Sequence, residues 1–232
     1  MILERKPKIN MTDLKELYER LFQNEENTNL SVPLVEFASF MQVYNGAMKE
    51  ISTKLEVLDD EFNIDHKHNP IHHLECRIKE PKSICEKIIK NGIPLSMDNA
   101  RKYVQDIAGI RVICSYYDDI YLVERLLLAQ TDIVLVKRKD YIAEPKKNGY
   151  RSLHLVVKVP VFLSDKTEEV PVEIQLRTIA MDYWASLEHE LRYKNKTNEV
   201  RQYSAMLLDC ANTLASAEQT MQRIREKIEE MD

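Results

Sequence analysis

Between Pro33 and Phe62 the apolar residues fall at Leu34, Phe37, Met41, Tyr44, Met48, Ile51, Leu55, Leu58 and Phe62, with gaps alternating between three and four. That spacing keeps one straight apolar seam on a helix, so a long helix is predicted here. A second seam runs through Tyr203, Leu207, Cys210, Leu214, Ala217, Met221, Ile224, Ile228 and Met231 and predicts another. Narrow seams suit packing of helix on helix, and the spacing fits burial on the same domain as well as a subunit interface.

Between the seams the period changes. "IRVICSYY" reads as a strand, "DDIYLVERLLLAQ" as a helix and "DIVLVKRKDYI" as a second strand. "YRSLHLVVKVPVFL" and "EVPVEIQLR" are further strands, and "TIAMDYWASLEHELRYK" returns to helix. This mixture predicts an α/β (α+β) fold with a mixed sheet flanked by helices. The expected plan is an N-terminal helical region over 1–70, a core over 71–194 and a C-terminal helix within 195–232. There is no internal repeat and no low-complexity segment.

Strand alternation indicates where the chemistry lies. In "EVPVEIQLR", Val170, Val172, Ile174 and Leu176 share one face, and Glu173, Gln175 and Arg177 the other. In the preceding strand Tyr150, Ser152 and His154 share a face opposite Leu153, Leu155 and Val157. Adjacent in one sheet, the two polar faces would border a single cleft. A second acid, Asp106, stands just before Gly109 and the strand that Arg111 begins, so a helix or turn delivers it to one end of the sheet. Two carboxylates from separate elements, Asp106 and Glu173, suit a magnesium–nucleotide site, where hard oxygen ligands hold an ion that bridges phosphates.

"RIKEPKSICEKIIK" concentrates cations. Pro81 separates an extended segment with Arg77 and Lys79 from a short helix on which Ser83, Lys87 and Lys90 fall near one face. Such a face can grip a polyphosphate. The stretch "EPKKNGYRSLH" adds Lys146, Gly149, Tyr150 and His154 around an Asn-Gly turn.

Composition narrows these readings. The 232 residues are 44% hydrophobic and 31% charged, with a formal net charge of -5, so a bound polyanion must be held by local charge. Broad RNA binding is therefore not indicated. Cys76, Cys85, Cys114 and Cys210 form no C-x-x-C pair and are expected to be buried free thiols in a reducing cytosol. The opening "MILERKPKINMTDL" has no apolar signal region and no run reaches membrane-spanning length, so a cytoplasmic location with no membrane role is expected. The histidines of "HKHNPIHH" lack the spacing of a closed zinc site. With neither a Walker A pattern nor G-x-G-x-x-G, side chains must do the holding of any nucleotide.

The segments "RIK", "DIAGIRV", "KDYI", "PKKNGYRSLHL", "VEIQLRT" and "MDYWASLEH" occur in the order and spacing of the RelA/SpoT-type (p)ppGpp synthetase domain, which the chain resembles from about Asn69 to Lys194. Length and layout resemble the small alarmone synthetases, and "RTIAMDYWASLEH" is closer to the RelP branch than to RelQ. The resemblance implies a nucleotidyltransferase-like fold and transfer of the β,γ-pyrophosphate of ATP to the ribose 3′-hydroxyl of GDP or GTP, releasing AMP. It implies Arg77 and Arg111 around adenine, with Lys79, Ser83, Lys87 and Lys90 facing the ATP phosphates. Relatives often carry arginine where this chain has Lys90. Asp106 would hold Mg2+, and Glu173 would help hold the ion or draw the proton from the attacking hydroxyl. For the acceptor it implies Tyr150 stacked on guanine, Lys146 and His154 on phosphates, and Gly149 letting the backbone turn. Lys139 and Gln175 would assist, and Asp182, where some relatives have asparagine, would accept from guanine. A homotetramer through the terminal helices is implied as well. The rival readings are a non-catalytic nucleotide- or RNA-binding module on the same fold and a nucleotidyltransferase that releases pyrophosphate.

Overall fold

The computed structural model describes residues 2–5, 31–194 and 203–231. Its sheet contains β1 (Ile2–Arg5), β2 (Ile71–Ile78), β3 (Ala108–Cys114), β4 (Val134–Asp140), β5 (Leu153–Phe162) and β6 (Thr167–Thr178) in the order β1-β2-β3-β6-β5-β4. The β1–β2 and β3–β6 pairs are parallel and the rest antiparallel, so the sheet is mixed as expected. The helices are α1 (Ser31–Asp65), α2 (Pro81–Lys90), α3 (Met97–Tyr103), α4 (Tyr117–Leu128), α5 (Ile179–Lys194) and α6 (Ser204–Glu229).

Strand alternation separates the two faces of the sheet. Leu74, Cys76, Ile110, Val112, Leu155, Val157, Val172 and Ile174 are buried on one side, within a single core. The long helix α1 lies over β2, β3, β5 and β6, and its Phe40, Tyr44, Ile51 and Leu55 join that core. The predicted helix is present, but its seam packs mainly on a sheet, with Phe37 near its start sharing an apolar crevice with Ile84 and Ile88 of α2. A sheet is a broad surface, and α1 widens its buried stripe to include Phe40, Val43 and Ala47, which the three-four reading omitted.

β2 differs from the expectation, which saw only an extended "RIK". A register shift between Ile71 and His73 breaks the alternation, which resumes with Leu74, Cys76 and Ile78 buried. β4 forms one edge of the sheet, with Val134, Leu135 and Val136 exposed. Arg138 donates to both carboxylate oxygens of Glu124, at 2.6 and 3.0 Å, and so ties β4 to α4.

The C-terminal seam is used only in part. Ala211 packs with Trp184 and Ala185 of α5, and Leu207 and Leu214 border that cluster. The Trp184 indole donates to the Leu207 carbonyl at 2.8 Å. Met221, Ile224, Ile228 and Met231 remain exposed. The cysteines correct another expectation: Cys76 and Cys114 are buried, Cys85 is half-buried and Cys210 is exposed on α6. Burial pushes the Cys114 thiol well above its ordinary range and Cys85 up to about 11, which suits inert thiols.

Candidate active site

The polar face of the sheet carries two transverse rows. In one, Glu75, Arg111, Gln175, His154 and Lys139 stand opposite one another across five strands. In the next, Arg77, Gly109, Glu173, Val156 and Lys137 do the same. Gly109 matters because the Arg77 stem lies over it: an added Cβ would meet Arg77 Cγ at 3.6 Å and Nε at 3.7 Å. The predicted sharing of one cleft by the polar faces of β5 and β6 follows from the pairing of His154 with Gln175.

Asp106 occupies the turn between α3 and β3. Its carboxylate accepts from Lys79 at 2.9 Å and from Lys87 at 2.8 Å. Lys87 reaches it because Pro81 starts α2 and Ile84 and Ile88 are buried, which sets the lysine at the border of the buried stripe. Burial works to raise the Asp106 carboxyl, but the hydrogen bonds and charges of the two lysines outweigh it and hold it below the usual carboxylate range. Lys90 is exposed at the end of α2, and it and Ser83 line neither cleft.

Two clefts meet at Glu173. The smaller, of about 70 Å³, lies between Arg77 and Arg111 and is also lined by Gly109 and Gln175. The larger, of about 390 Å³, is lined by Lys87, Asp106, Lys137, Lys139, Lys146 and His154 among others. Glu173 accepts from the Gln175 amide at 2.9 Å and lies 3.6 Å from His154 Nδ1. Burial would raise its carboxyl, but the His154 and Gln175 contacts dominate and keep it low. Both carboxylates are thus anionic at neutral pH.

The loop before β5 is folded on itself. Gly149 N donates to the Lys146 carbonyl at 2.8 Å, Lys146 N donates to the Tyr150 carbonyl at 3.1 Å, and Gly149 has φ 91°. The left-handed backbone explains the glycine. The Lys146 ammonium lies 4.4 Å from the Tyr141 ring centroid and 4.5 Å from that of Tyr150. Tyr141 packs edge-on against His154 with centroids 5.3 Å apart.

Arg177 holds the other side. It is 5% exposed and donates to Tyr150 Oη at 2.7 Å, Gln175 Oε1 at 2.7 Å, Asp182 Oδ1 at 2.9 Å and Ser152 Oγ at 3.4 Å. Tyr150 Oη is also 2.7 Å from His154 Nε2. One assignment satisfies every contact: Arg177 donates to the phenol, the phenol donates to Nε2, and the imidazole proton on Nδ1 faces Glu173. Asp182 Oδ1 lies also 3.5 Å from Arg111, so a guanine contact at Asp182 must compete with two guanidinium groups. Burial and the neighbouring Arg177 charge lower the Arg111 pKa, although Asp182 and Glu75 oppose them.

The charged and hydrogen-bonding groups expected at the site face one of the clefts or the network between them, save Ser83, Lys90 and Lys79, which joins the larger cleft only through its bond to Asp106. Sequence reasoning gave no role to Arg177, Lys137 or Tyr141. The alternation of Lys137 and Lys139 on β4 was a usable signal for the first lysine.

A mixed sheet with two cation-lined clefts joined at a carboxylate defines a protein that brings two polyanionic ligands together. The match of residues 76–198 to the region found in RelA/SpoT proteins agrees with that geometry, and the chain belongs to this family. It is 38% identical to the GTP pyrophosphokinase YwaC of Bacillus subtilis, over 87% of this chain and 96% of the relative. To the GTP pyrophosphokinase YjbM of the same organism it is 37% identical, over 82% and 89%. The structure of B. subtilis small alarmone synthetase 1 bound to its product pppGpp superposes with a TM-score of 0.77 at 36% identity, covering 83% of this chain and 98% of that one.

Proposed function

We infer that this protein is a (p)ppGpp synthetase, moving the β,γ-pyrophosphate of ATP to the ribose 3′-hydroxyl of GDP or GTP and releasing AMP. The observation that carries the reading is the meeting of two clefts at Glu173, with Asp106 and Lys87 in the larger one. The relatives named GTP pyrophosphokinase, and the product-bound neighbour, support the same chemistry.

The acceptor 3′-oxygen attacks the β-phosphorus of ATP. The bond from that phosphorus to the bridging α,β-oxygen breaks, AMP leaves, and the hydroxyl proton passes to Glu173. Holding donor and acceptor in line replaces a bimolecular encounter and can contribute several kcal/mol, of about 7 or more in the best cases. Lys79 and Lys87 release Asp106 to meet the phosphates, Arg77 and Arg111 bracket the adenine, and Tyr150 stacks on guanine beside Lys146. His154 stays between Tyr150 and Glu173, where its Nδ1 proton can meet an acceptor phosphate.

Among the described residues no cluster of three or more metal-ligating side chains is present. Mg2+ takes one or two carboxylates together with substrate phosphates, and Asp106 and Glu173 fit that demand. Held by these two carboxylates, it would neutralise charge on the phosphates during transfer. A homotetramer, a cytoplasmic location and membership of the RelP branch complete the proposal. The exposed apolar residues of α6 support assembly, and the "RTIAMDYWASLEH" wording supports the branch. No described helix is long and apolar enough to cross a membrane.

Purified protein incubated with Mg2+, γ-labelled ATP and GDP or GTP should give a labelled guanosine tetra- or pentaphosphate and matching AMP. Release of pyrophosphate in place of AMP would make it a nucleotidyltransferase, and nucleotide binding without transfer would favour a binding module. Tyr150→Ala should raise the acceptor KM about tenfold, the scale of one base–aromatic stack, with little change in the ATP KM. Steady-state titration of each nucleotide checks this, and an unchanged acceptor KM would remove the stacking role.

A further inference from the structure

The loop assigned to the acceptor is backed on its far side by the C-terminal helix. Ala211 is the buried residue of α6, and it lies directly against Gly149. A Cβ on Gly149 would come 2.7 Å from Ala211 Cβ and 3.2 Å from Leu208 Cδ1, so helix and turn are in close contact. Arg151 fastens the two together. Its guanidinium donates to the Gly149 carbonyl at 3.1 Å, to the Ala211 carbonyl at 3.4 Å and to Asn212 Oδ1 at 3.2 Å. Tyr150, between these anchors, borders the same apolar cluster as Ala211.

The helix is itself fixed on either side of that contact. Trp184 of α5 holds the Leu207 carbonyl one turn earlier. Two turns later Glu218 accepts from the Thr178 hydroxyl, at the end of the strand that carries Glu173, Gln175 and Arg177. Farther on, Arg225 and Gln222 bond Asp119 and Asp118 of α4. Neither cleft lining includes a residue of α6; the helix meets the acceptor side at the loop, and meets β6 at its end, through Thr178.

We propose that α6 is a positioning element for the acceptor: Ala211 sets the height of the Lys146–Tyr150 turn and Arg151 locks it, so displacement of the helix changes acceptor affinity and leaves the donor cleft alone. The proposal rests on the reading of that loop as the acceptor site. Its chemistry is simple. A turn pressed by a larger side chain rises, and the Lys146 ammonium and Tyr150 ring move with it.

The test compares wild type, Ala211→Leu, Ala211→Ser and Asn212→Ala. GDP and ATP KM values are measured separately, and GDP binding is followed by calorimetry, which needs no turnover. Leucine is a good helix former, so α6 should persist while its extra volume meets the turn. Ala211→Leu should weaken GDP binding and raise its KM at least about fivefold, well beyond a surface change, with the ATP KM unchanged. The small Ala211→Ser should restore near-normal values, and Asn212→Ala should raise the GDP KM about twofold, as expected for one exposed hydrogen bond.

A lowered melting temperature with both affinities unchanged would make the helix a support for the fold only and overturn the proposal. A parallel rise in both KM values would overturn it as well. The underlying reading fails in a different way. GDP binding by wild type without pyrophosphate transfer would remove the proposed reaction while the binding comparison still decides the role of α6. Insensitivity of GDP binding to Tyr150→Ala would remove the loop as acceptor site, and this proposal with it.

Discussion

Asp106→Asn should lower pyrophosphate transfer about a thousandfold, and Glu173→Gln by a similar factor, the scale associated with loss of a metal ligand or general base. Both substitutions conserve shape. Asp106 lies in a turn and is half-buried, so asparagine can still accept one lysine hydrogen bond and thermal unfolding should change little. Near-normal turnover in either variant, measured as labelled product per minute, would end the assignment of these carboxylates. The pH dependence has a defined sign. Lys87 and Lys79 hold the Asp106 carboxyl low, and His154 and Gln175 do the same for Glu173. The required anions therefore persist as pH falls and are lost only below the usual carboxylate range. In Lys87→Met, Asp106 keeps one lysine of two, its pKa rises, and the acid limit of binding should move upward.

Arg177→Lys should cost about 3 kcal/mol of stability, because a buried charged network loses the only group shaped to satisfy it. The planar guanidinium reaches the phenol, amide oxygen and carboxylate of Tyr150, Gln175 and Asp182 at 2.7, 2.7 and 2.9 Å. One ammonium on a flexible stem cannot point at all three in the directions they require. Urea denaturation should show a lower midpoint at constant slope. A second effect separates positioning from simple support. With its phenol released, Tyr150 no longer fixes His154, so the acceptor KM should rise about tenfold, as for loss of an oriented stack, in the fraction that remains folded. Unaltered stability and acceptor KM together would show that Arg177 organises nothing.

The two strands that carry most of the site were readable because their periods are clean. Val172, Ile174 and Leu176 alternate with Glu173, Gln175 and Arg177, and a sheet buries one set and wets the other. β2 was not readable as a strand because its register shift puts His72 and His73 side by side before the alternation resumes. The burial of Arg177 depends on Tyr150 and Asp182, which reach it from elsewhere in the chain. Nothing in "EIQLRT" distinguishes a buried guanidinium from a solvated one. The contact of Ala211 with Gly149 joins residues far apart in sequence through van der Waals surfaces that leave no polar signature. The α1 seam was legible as a helix, yet the width of its partner could be known only from the sheet.

Among the described residues β4 presents an open row of backbone groups beside the exposed side chains of Val134, Leu135 and Val136, a combination that invites a strand from another molecule to add on. Lys137 and Lys139 follow on the same strand, where charge discourages such pairing. The lysines that line the cleft are therefore also guards against aggregation. A variant that neutralised both to alter acceptor preference would uncover a self-associating edge, so recognition and solubility constrain the same two positions.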